Sequence, residues 1–324
     1  MSNPHQFLKK SIKGSDYMKI MIAGATGLIG KTLVDHLSKK HKCILVGRTP
    51  EKMHATFANR YRILTWDDLK ISNEDLLKEV DVIINLAGEN IGDRRWSLPQ
   101  KEKILNSRVE ASKILANLCA KLGEKSPRLL NAGGIGIYGF SDSNCYFTEE
   151  SPASNDPNCF LSAISNAWEK ALISAENNHV NVVKMRFGVV LSKNGGALKK
   201  MLPSFKFGFG AVLGSGQQPF SWVLLDDLVR AIDFIISHPD IFGAVNIVSP
   251  GVITQKEFAK SLAKALHRPC FLNISQKIVR ILFGQMGDEL LLKGQSVKSE
   301  KLLKAGFEFQ HPKIDEALKY LFDH

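Results

Sequence analysis

The segment that most constrains this chain is its first apolar run together with the glycine loop after it. Lys19-Ile20-Met21-Ile22-Ala23 reads as a strand buried on both faces. It leads directly into Gly24-Ala25-Thr26-Gly27-Leu28-Ile29-Gly30, a GxxGxxG loop. From Leu28 to Lys40, Ile29, Leu33 and Leu37 then fall on one face of a helix. Similar apolar runs return at Cys43–Val46, Asp81–Leu86, Arg128–Asn131, Asn181–Arg186 and Val245–Val248. Helical patterns separate them, such as Ser97–Leu122 and Ser162–Asn177. Continuous apolar strands alternating with helices predict a parallel sheet covered on both faces. The expected fold class is α/β, a doubly wound Rossmann-type parallel sheet.

The texture changes after about Leu191. Gly195-Gly196, Gly208, Gly210, Gly214 and Gly216, interleaved with Phe205, Phe207 and Phe209, predict a loop insertion near 192–222 that shapes a substrate pocket. From Thr254 the chain reads as helices: Thr254–Leu266, Ser275–Phe283, Glu289–Leu292 and Ile314–Phe322. Thr254 with Glu257 three residues on forms a capping-box pattern. The expected organisation is a flexible tail over 1–17, a Rossmann-type domain over 18–250 and a small, mainly helical cap over 251–324. The tail is polar and carries Lys9, Lys10 and Lys13; an over-early start codon is the other source of such an extension.

Composition excludes several classes. No apolar run approaches the ~18 residues of a spanning helix, and the N-terminus lacks a secretory h-region. A cytoplasmic protein that meets no membrane is expected. Five cysteines, an odd number without a CxxC pair, argue against a disulfide framework. Nine scattered histidines form no metal motif, and there is no GxSxG elbow. The 43 Lys+Arg against 32 Asp+Glu leave a net charge of +11, but the excess is spread through the chain. That pattern argues against a nucleic-acid surface and for small anionic ligands.

The glycine loop supplies a tight turn, close backbone approach and a helix N-terminus that favours negative charge. Its spacing is not GxGxxG, so its position after the first buried strand carries the argument. Gly24, Thr26, Gly27, Leu28, Ile29 and Gly30 are therefore expected at a dinucleotide pyrophosphate. The second strand ends Val46-Gly47-Arg48-Thr49, without the acid that binds a ribose 2′-hydroxyl. Arg48 suits a 2′-phosphate and points to NADP(H); a solvated loop arginine is the alternative. Asp67 is expected at the adenine edge, and Leu86, Ala87 and Gly88 on the pyrophosphate or nicotinamide side.

With these residues in place the chain resembles the extended short-chain dehydrogenase/reductase superfamily, in its atypical "epimerase family" branch (nucleoside-diphosphate-sugar epimerase-like). Gly24–Gly30, the run from Asn85 to Ile91, Asp93-Arg94-Arg95-Trp96 and Ser107-Arg108 carry the match. So do Gly136-Ile137-Tyr138-Gly139, Trp168-Glu169, Arg186–Leu191, Gly195–Leu198, Gly214-Ser215-Gly216 and Ser221-Trp222 before Asp226-Asp227. The resemblance implies an NADP(H)-type fold, a C-terminal domain of unknown role and a homodimer as the usual assembly.

It also implies chemistry by a Tyr and a Lys in YxxxK, with a Ser or Thr one strand earlier. Four residues beyond Tyr17, Tyr61, Tyr138, Tyr146 and Tyr320 stand Met21, Thr65, Asp142, Glu150 and His324. None is Lys. On the helix that should carry the motif the pair becomes Phe160/Ile164 or Leu161/Ser165, and Ala132-Gly133-Gly134 offers no hydroxyl. Tyr138, after a strand end, is a candidate proton donor, with a packing tyrosine as the alternative. Glu89 is a candidate base if desolvated, with a hydrogen-bonding carboxylate as the alternative. Arg94, Arg95, Arg108 and Arg186 are candidates for an anion site, with surface solvation or structural pairing as the alternative, and Trp96, Trp168 and Trp222 for the walls of a planar ligand, with buried core as the alternative. Asp226-Asp227 reads mainly as a cap on a helix over Leu228–Ile236. Two functions remain: an NADP(H)-dependent epimerase- or reductase-like protein acting on a small substrate, or a catalytically silent dinucleotide-binding regulator or scaffold.

Overall fold

Seven parallel strands form the centre of the molecule. The computed structural model describes residues 17–71, 75–141 and 145–323. The tail expected over 1–17 lies, apart from Tyr17, outside the described residues. The strands are β1 (Lys19–Ala23), β2 (Lys42–Gly47), β3 (Arg62–Thr65), β4 (Val82–Asn85), β5 (Arg128–Gly134), β6 (Val182–Phe187) and β7 (Gly243–Ile247). Their order is β3-β2-β1-β4-β5-β6-β7. The order reverses between β1 and β4, and ligands of such sheets bind at the strand C-termini beside that point.

Side-chain alternation explains why both faces are covered. Ile20, Ile22, Cys43, Leu45, Val82 and Ile84 project into one layer, shared with α1 (Leu28–Leu37). Met21, Ile44, Ile83 and Leu129 project into the other, beneath α2 (Leu98–Leu122). Ile20, Met21, Ile22 and Ile83 are completely buried, each contributing about 1.5–3 kcal/mol relative to exposure.

The pattern expected as one helix over Ser162–Asn177 is two: α3 (Phe160–Lys170) and a short helix over Ile173–Asn177. The turn between them tightens: Leu172 N–H donates to Glu169 O, three residues back, as Leu172 enters the core. The glycine-rich stretch contains α4 (Gly196–Lys206). After it come α5 (Leu225–Ser237), α6 (Gln255–Ala265), α7 (Gln276–Phe283), α8 (Gln285–Leu291) and α9 (Ile314–Phe322). The expected capping box starts α6, with Glu257 N–H on Thr254 Oγ1 and Thr254 N–H on Glu257 Oε2.

The reading of Asp226-Asp227 as helix caps is corrected. Asp227 is fully buried and accepts the Gln310 and His311 N–H groups at 2.9 and 3.1 Å, and Arg230 Nη1 at 2.8 Å. Asp226 accepts Tyr320 O–H at 2.9 Å. Both carboxylates hold the C-terminal segment rather than the start of their own helix. A third carboxylate joins distant parts. Glu289 in α8 is buried and accepts the Phe160 and Leu161 N–H groups at 3.0 and 2.9 Å, capping α3.

Candidate functional site

The C-terminal ends of β1 and β4 hold the glycine loop in one conformation. Gly24 has φ +78°, and a Cβ there would stand 2.6 Å from the Leu86 carbonyl carbon and oxygen. Gly30 is pressed against the loop itself: its Cβ would lie 2.3 Å from Gly24 O. Gly27 precedes α1 without a side-chain cap, so the first N–H groups of α1 have no such partner. Thr26, Leu28 and Ile29 are half-buried along the same loop. Leu86 N–H donates to Ala23 O at 2.9 Å and Ala87 N–H to Asn85 Oδ1 at 3.1 Å, which fixes Leu86-Ala87-Gly88 beside the loop. Gly195, before α4, packs against the start of α1; a Cβ there would be 2.9 Å from Leu28 Cδ1.

Arg48 comes directly after β2 and is exposed, at the strand end next to β1. Asp67 lies in the first turn of the helix Trp66–Ile71, is largely exposed and pairs with Lys70 at 2.8 Å. The expected adenine-edge carboxylate is thus engaged along its own helix.

Tyr138 lies in the core, as the packing alternative expects, with its hydroxyl engaged. It is 3% exposed and stacks on Phe147. Its hydroxyl donates to Asn246 Oδ1 at 2.7 Å and accepts Arg186 Nη1 at 2.8 Å. Burial pushes its pKa up, with Arg186 acting in the opposite direction. Arg186 leaves the anion-site set for the same reason. It grips Glu169 through two parallel bonds of 2.7 and 2.9 Å. Burial alone would lower its pKa, but the bonds to Glu169 outweigh that and raise it.

Glu89 keeps a place at the crevice. Its N–H donates to Ser107 Oγ at 2.9 Å and its half-buried carboxylate lies 3.7 Å from Lys103. Arg94 and Arg95 are exposed. Arg108 runs alongside Gly88 with its guanidinium 4.9 Å from the Trp168 ring centre. Trp222 is fully buried core, and Trp96 donates to Ile91 O within the loop after β4.

The two registers left open for α3 separate cleanly. Ile164 is buried with Trp96 and Ile104. Leu161 and Ser165 face the end of β5: a Cβ at Gly136 would be 2.9 Å from Leu161 Cβ, and one at Gly134 would be 3.8 Å from Ser165 Oγ. Sequence reasoning missed a buried network behind this face. Asn85 Nδ2 donates to Asn131 Oδ1 at 2.7 Å and to Ser112 Oγ at 3.1 Å, and Trp168 Nε1 donates to Ser112 Oγ at 3.0 Å. The signal for it was an asparagine inside each of two apolar strands, and the two stand opposite each other in register. The network locks β4, β5, α2 and α3 together at the crevice floor.

Residues 20–248 match the NAD dependent epimerase/dehydratase family, and residues 276–321 match a domain of unknown function, DUF1731. The chain is 36% identical over 303 residues to epimerase family protein Mb2239 of Mycobacterium bovis, covering 93% of this chain and 96% of that protein. It is similar to a crystal structure of human epimerase family protein SDR39U1 (isoform 2) with NADPH, at TM-score 0.83 and 31% identity, covering 94% of this chain and 99% of that one. A nucleoside-diphosphate sugar epimerase from Corynebacterium glutamicum is similar at TM-score 0.71 and 28% identity, over 94% of this chain and 58% of that one.

Proposed function

Because the chain belongs to the NAD dependent epimerase/dehydratase family, we propose that it binds NADPH in the crevice between β1 and β4 and acts on a small, anionic substrate there. The observation that carries this reading is the glycine loop, whose Gly24 and Gly30 leave no room for a side chain. The similar human protein was crystallised with NADPH, which supports the same choice of cofactor. The N–H groups at the start of α1 would receive the pyrophosphate. Leu86, Ala87 and Gly88 would line its other side. Arg48 would meet the 2′-phosphate with a charge-assisted fork. Bound in this way, the cofactor supplies a hydride.

The chain's own residues differ from the superfamily's proton-transfer set. On α3 neither Phe160/Ile164 nor Leu161/Ser165 supplies a Tyr and a Lys, and Tyr138 has its hydroxyl engaged inside the core. Glu89 is the remaining candidate base at the crevice. The same observation favours a second reading, a dinucleotide-binding regulator or scaffold without turnover.

Titration of NADPH and NADH into the wild-type protein and Arg48→Asp tests the first reading. NADPH is expected to bind at least 10-fold tighter than NADH, and the variant to lose most of that preference. Equal affinities, unchanged in the variant, refute the role of Arg48. Oxidation of bound NADPH by any member of a carbonyl and sugar-nucleotide panel decides between enzyme and regulator.

A further inference from the structure

We propose that Arg108 is the anion-binding cation of the crevice, taking a phosphate or carboxylate oxygen of a bound ligand through a charge delivered from α2 rather than α3. The proposal rests on the reading of this crevice as a ligand site. It singles out one of four arginines by position and partner. Arg186 is taken by Glu169. Arg94 and Arg95 are exposed on the loop after β4. Arg108 alone of the four is half-buried at the strand end without a carboxylate within 4.0 Å among the described residues.

The guanidinium is held, but little of its donor capacity is used. Nη1 donates to Ile104 O, one turn back on α2, at 3.0 Å. One face lies over the Trp168 ring. A guanidinium has five N–H donors in a planar fork, so an edge remains for an oxyanion. Burial lowers the Arg108 pKa to about 10, with Glu89 opposing. The group therefore stays protonated at neutral pH while poorly solvated, which strengthens its attraction for an anion. Glu89 itself lies next to Lys103.

Gly88 gives this fork its opening. A Cβ at position 88 would lie 3.2 Å from Arg108 Cγ and Cζ and 3.4 Å from Nη1. The absence of a side chain there brings the guanidinium flush with the end of β4, beside Leu86 and Ala87. Trp168 lies about one helical turn beyond Ile164 and Ser165, the two α3 positions at which the superfamily's lysine would fall. Arg108 thus brings a positive charge to the same crevice from the neighbouring helix.

The ligand group is an oxyanion, and it has two sources: the cofactor diphosphate, or a second molecule bound beside it. Both are tested by titrating NADPH, and then inorganic phosphate onto NADPH-saturated protein, for wild type, Arg108→Gln, Arg108→Lys and Gly88→Ala. Thermal midpoints of the unliganded proteins are measured alongside. Arg108→Gln is expected to weaken one of the two affinities at least 10-fold, with Arg108→Lys intermediate. Gly88→Ala, which keeps the charge and crowds the fork, is expected to weaken the same affinity at least 3-fold. The unliganded Arg108→Gln protein should melt no lower than wild type, because a poorly solvated charge without a carboxylate in contact has been removed.

A fall confined to NADPH assigns the diphosphate; a fall confined to phosphate assigns the second ligand. Both affinities within twofold of wild type in Arg108→Gln overturn the proposal. So does a lower midpoint with affinities intact, which marks a packing role. If wild type does not bind NADPH, the cofactor reading fails by itself. Phosphate titrated onto the unliganded protein then decides for Arg108, and wild type that takes neither overturns the proposal.

Discussion

Replacing Gly30 by alanine reverses the usual sign of a helical substitution. Inside a helix, Gly→Ala stabilises by about 1 kcal/mol through backbone entropy. Gly30 lies in the first turn of α1, but its Cβ would stand 2.3 Å from Gly24 O and 2.7 Å from Ala25 Cα. Both obstacles are backbone, so no rotamer relieves them. Gly24 cannot retreat, because it abuts the Leu86 carbonyl. Forcing extra volume into a filled site costs about 1–3 kcal/mol, and contacts this short belong at the upper end. After subtracting the entropy term, the net loss is about 1–2 kcal/mol. With about 2 cal/mol/K of unfolding entropy per residue over roughly 300 residues, the thermal midpoint should fall by about 2–3 °C. The loop must also shift, so NADPH affinity should drop at least 10-fold. Thermal melts and fluorescence titration measure both. A midpoint raised by about 1–2 °C with unchanged NADPH affinity would refute the geometry argued for this loop.

Buried groups elsewhere give further expected outcomes. Glu169→Ala should destabilise by about 3–5 kcal/mol in a denaturant titration, because it strands Arg186 in a poorly solvated site; a loss under about 1 kcal/mol contradicts the pairing. Tyr138→Phe should lower stability by about 1–2 kcal/mol through its two lost bonds while leaving NADPH affinity within twofold. Arg128 donates to the Ile235 and Ile236 carbonyls at the end of α5 at 2.9 and 3.2 Å and to the Ile241 carbonyl beyond it at 2.9 Å, so Arg128→Ala should cost about 3 kcal/mol, read by the same unfolding titration. Burial raises the Cys43, Cys119 and Cys159 thiols from 9.0 to about 11. The unfolded chain then loses these protons first. Stability is intact below about pH 9 and falls as pH rises toward 11. A thermal midpoint flat across that window disproves the assignment.

Much of the sheet was legible because fully buried parallel strands are written as unbroken apolar runs. Lys19–Ala23 matches β1 residue for residue, and Ile314–Phe322 matches α9 in the same way. β3 was harder, since Arg62–Thr65 lies at the sheet edge and contains only two aliphatic residues. The break after α3 was hidden because an apolar periodicity does not report where a helix tightens into the core. Asp227 shows the deeper limit. An acidic pair before an apolar run fits a cap, yet Asp227 accepts backbone N–H groups 83 and 84 residues downstream. The crevice arginines show the same limit: Arg108 and Arg186 are indistinguishable as letters, and only the placement of Glu169 separates them.

Glu289 decides how the two halves of this chain are to be treated. Its carboxylate terminates α3, whose Leu161 and Ser165 stand at the crevice, from a position 128 residues beyond Leu161. The segment matched as a domain of unknown function therefore supplies the end of a helix that belongs to the matched epimerase region. Removing it would expose the first donors of α3 and free the face that borders the end of β5. A truncated first half is consequently a poor surrogate for the intact protein in any binding assay. The C-terminal region holds the start of a helix that faces the crevice, so changes there reach the crevice through α3.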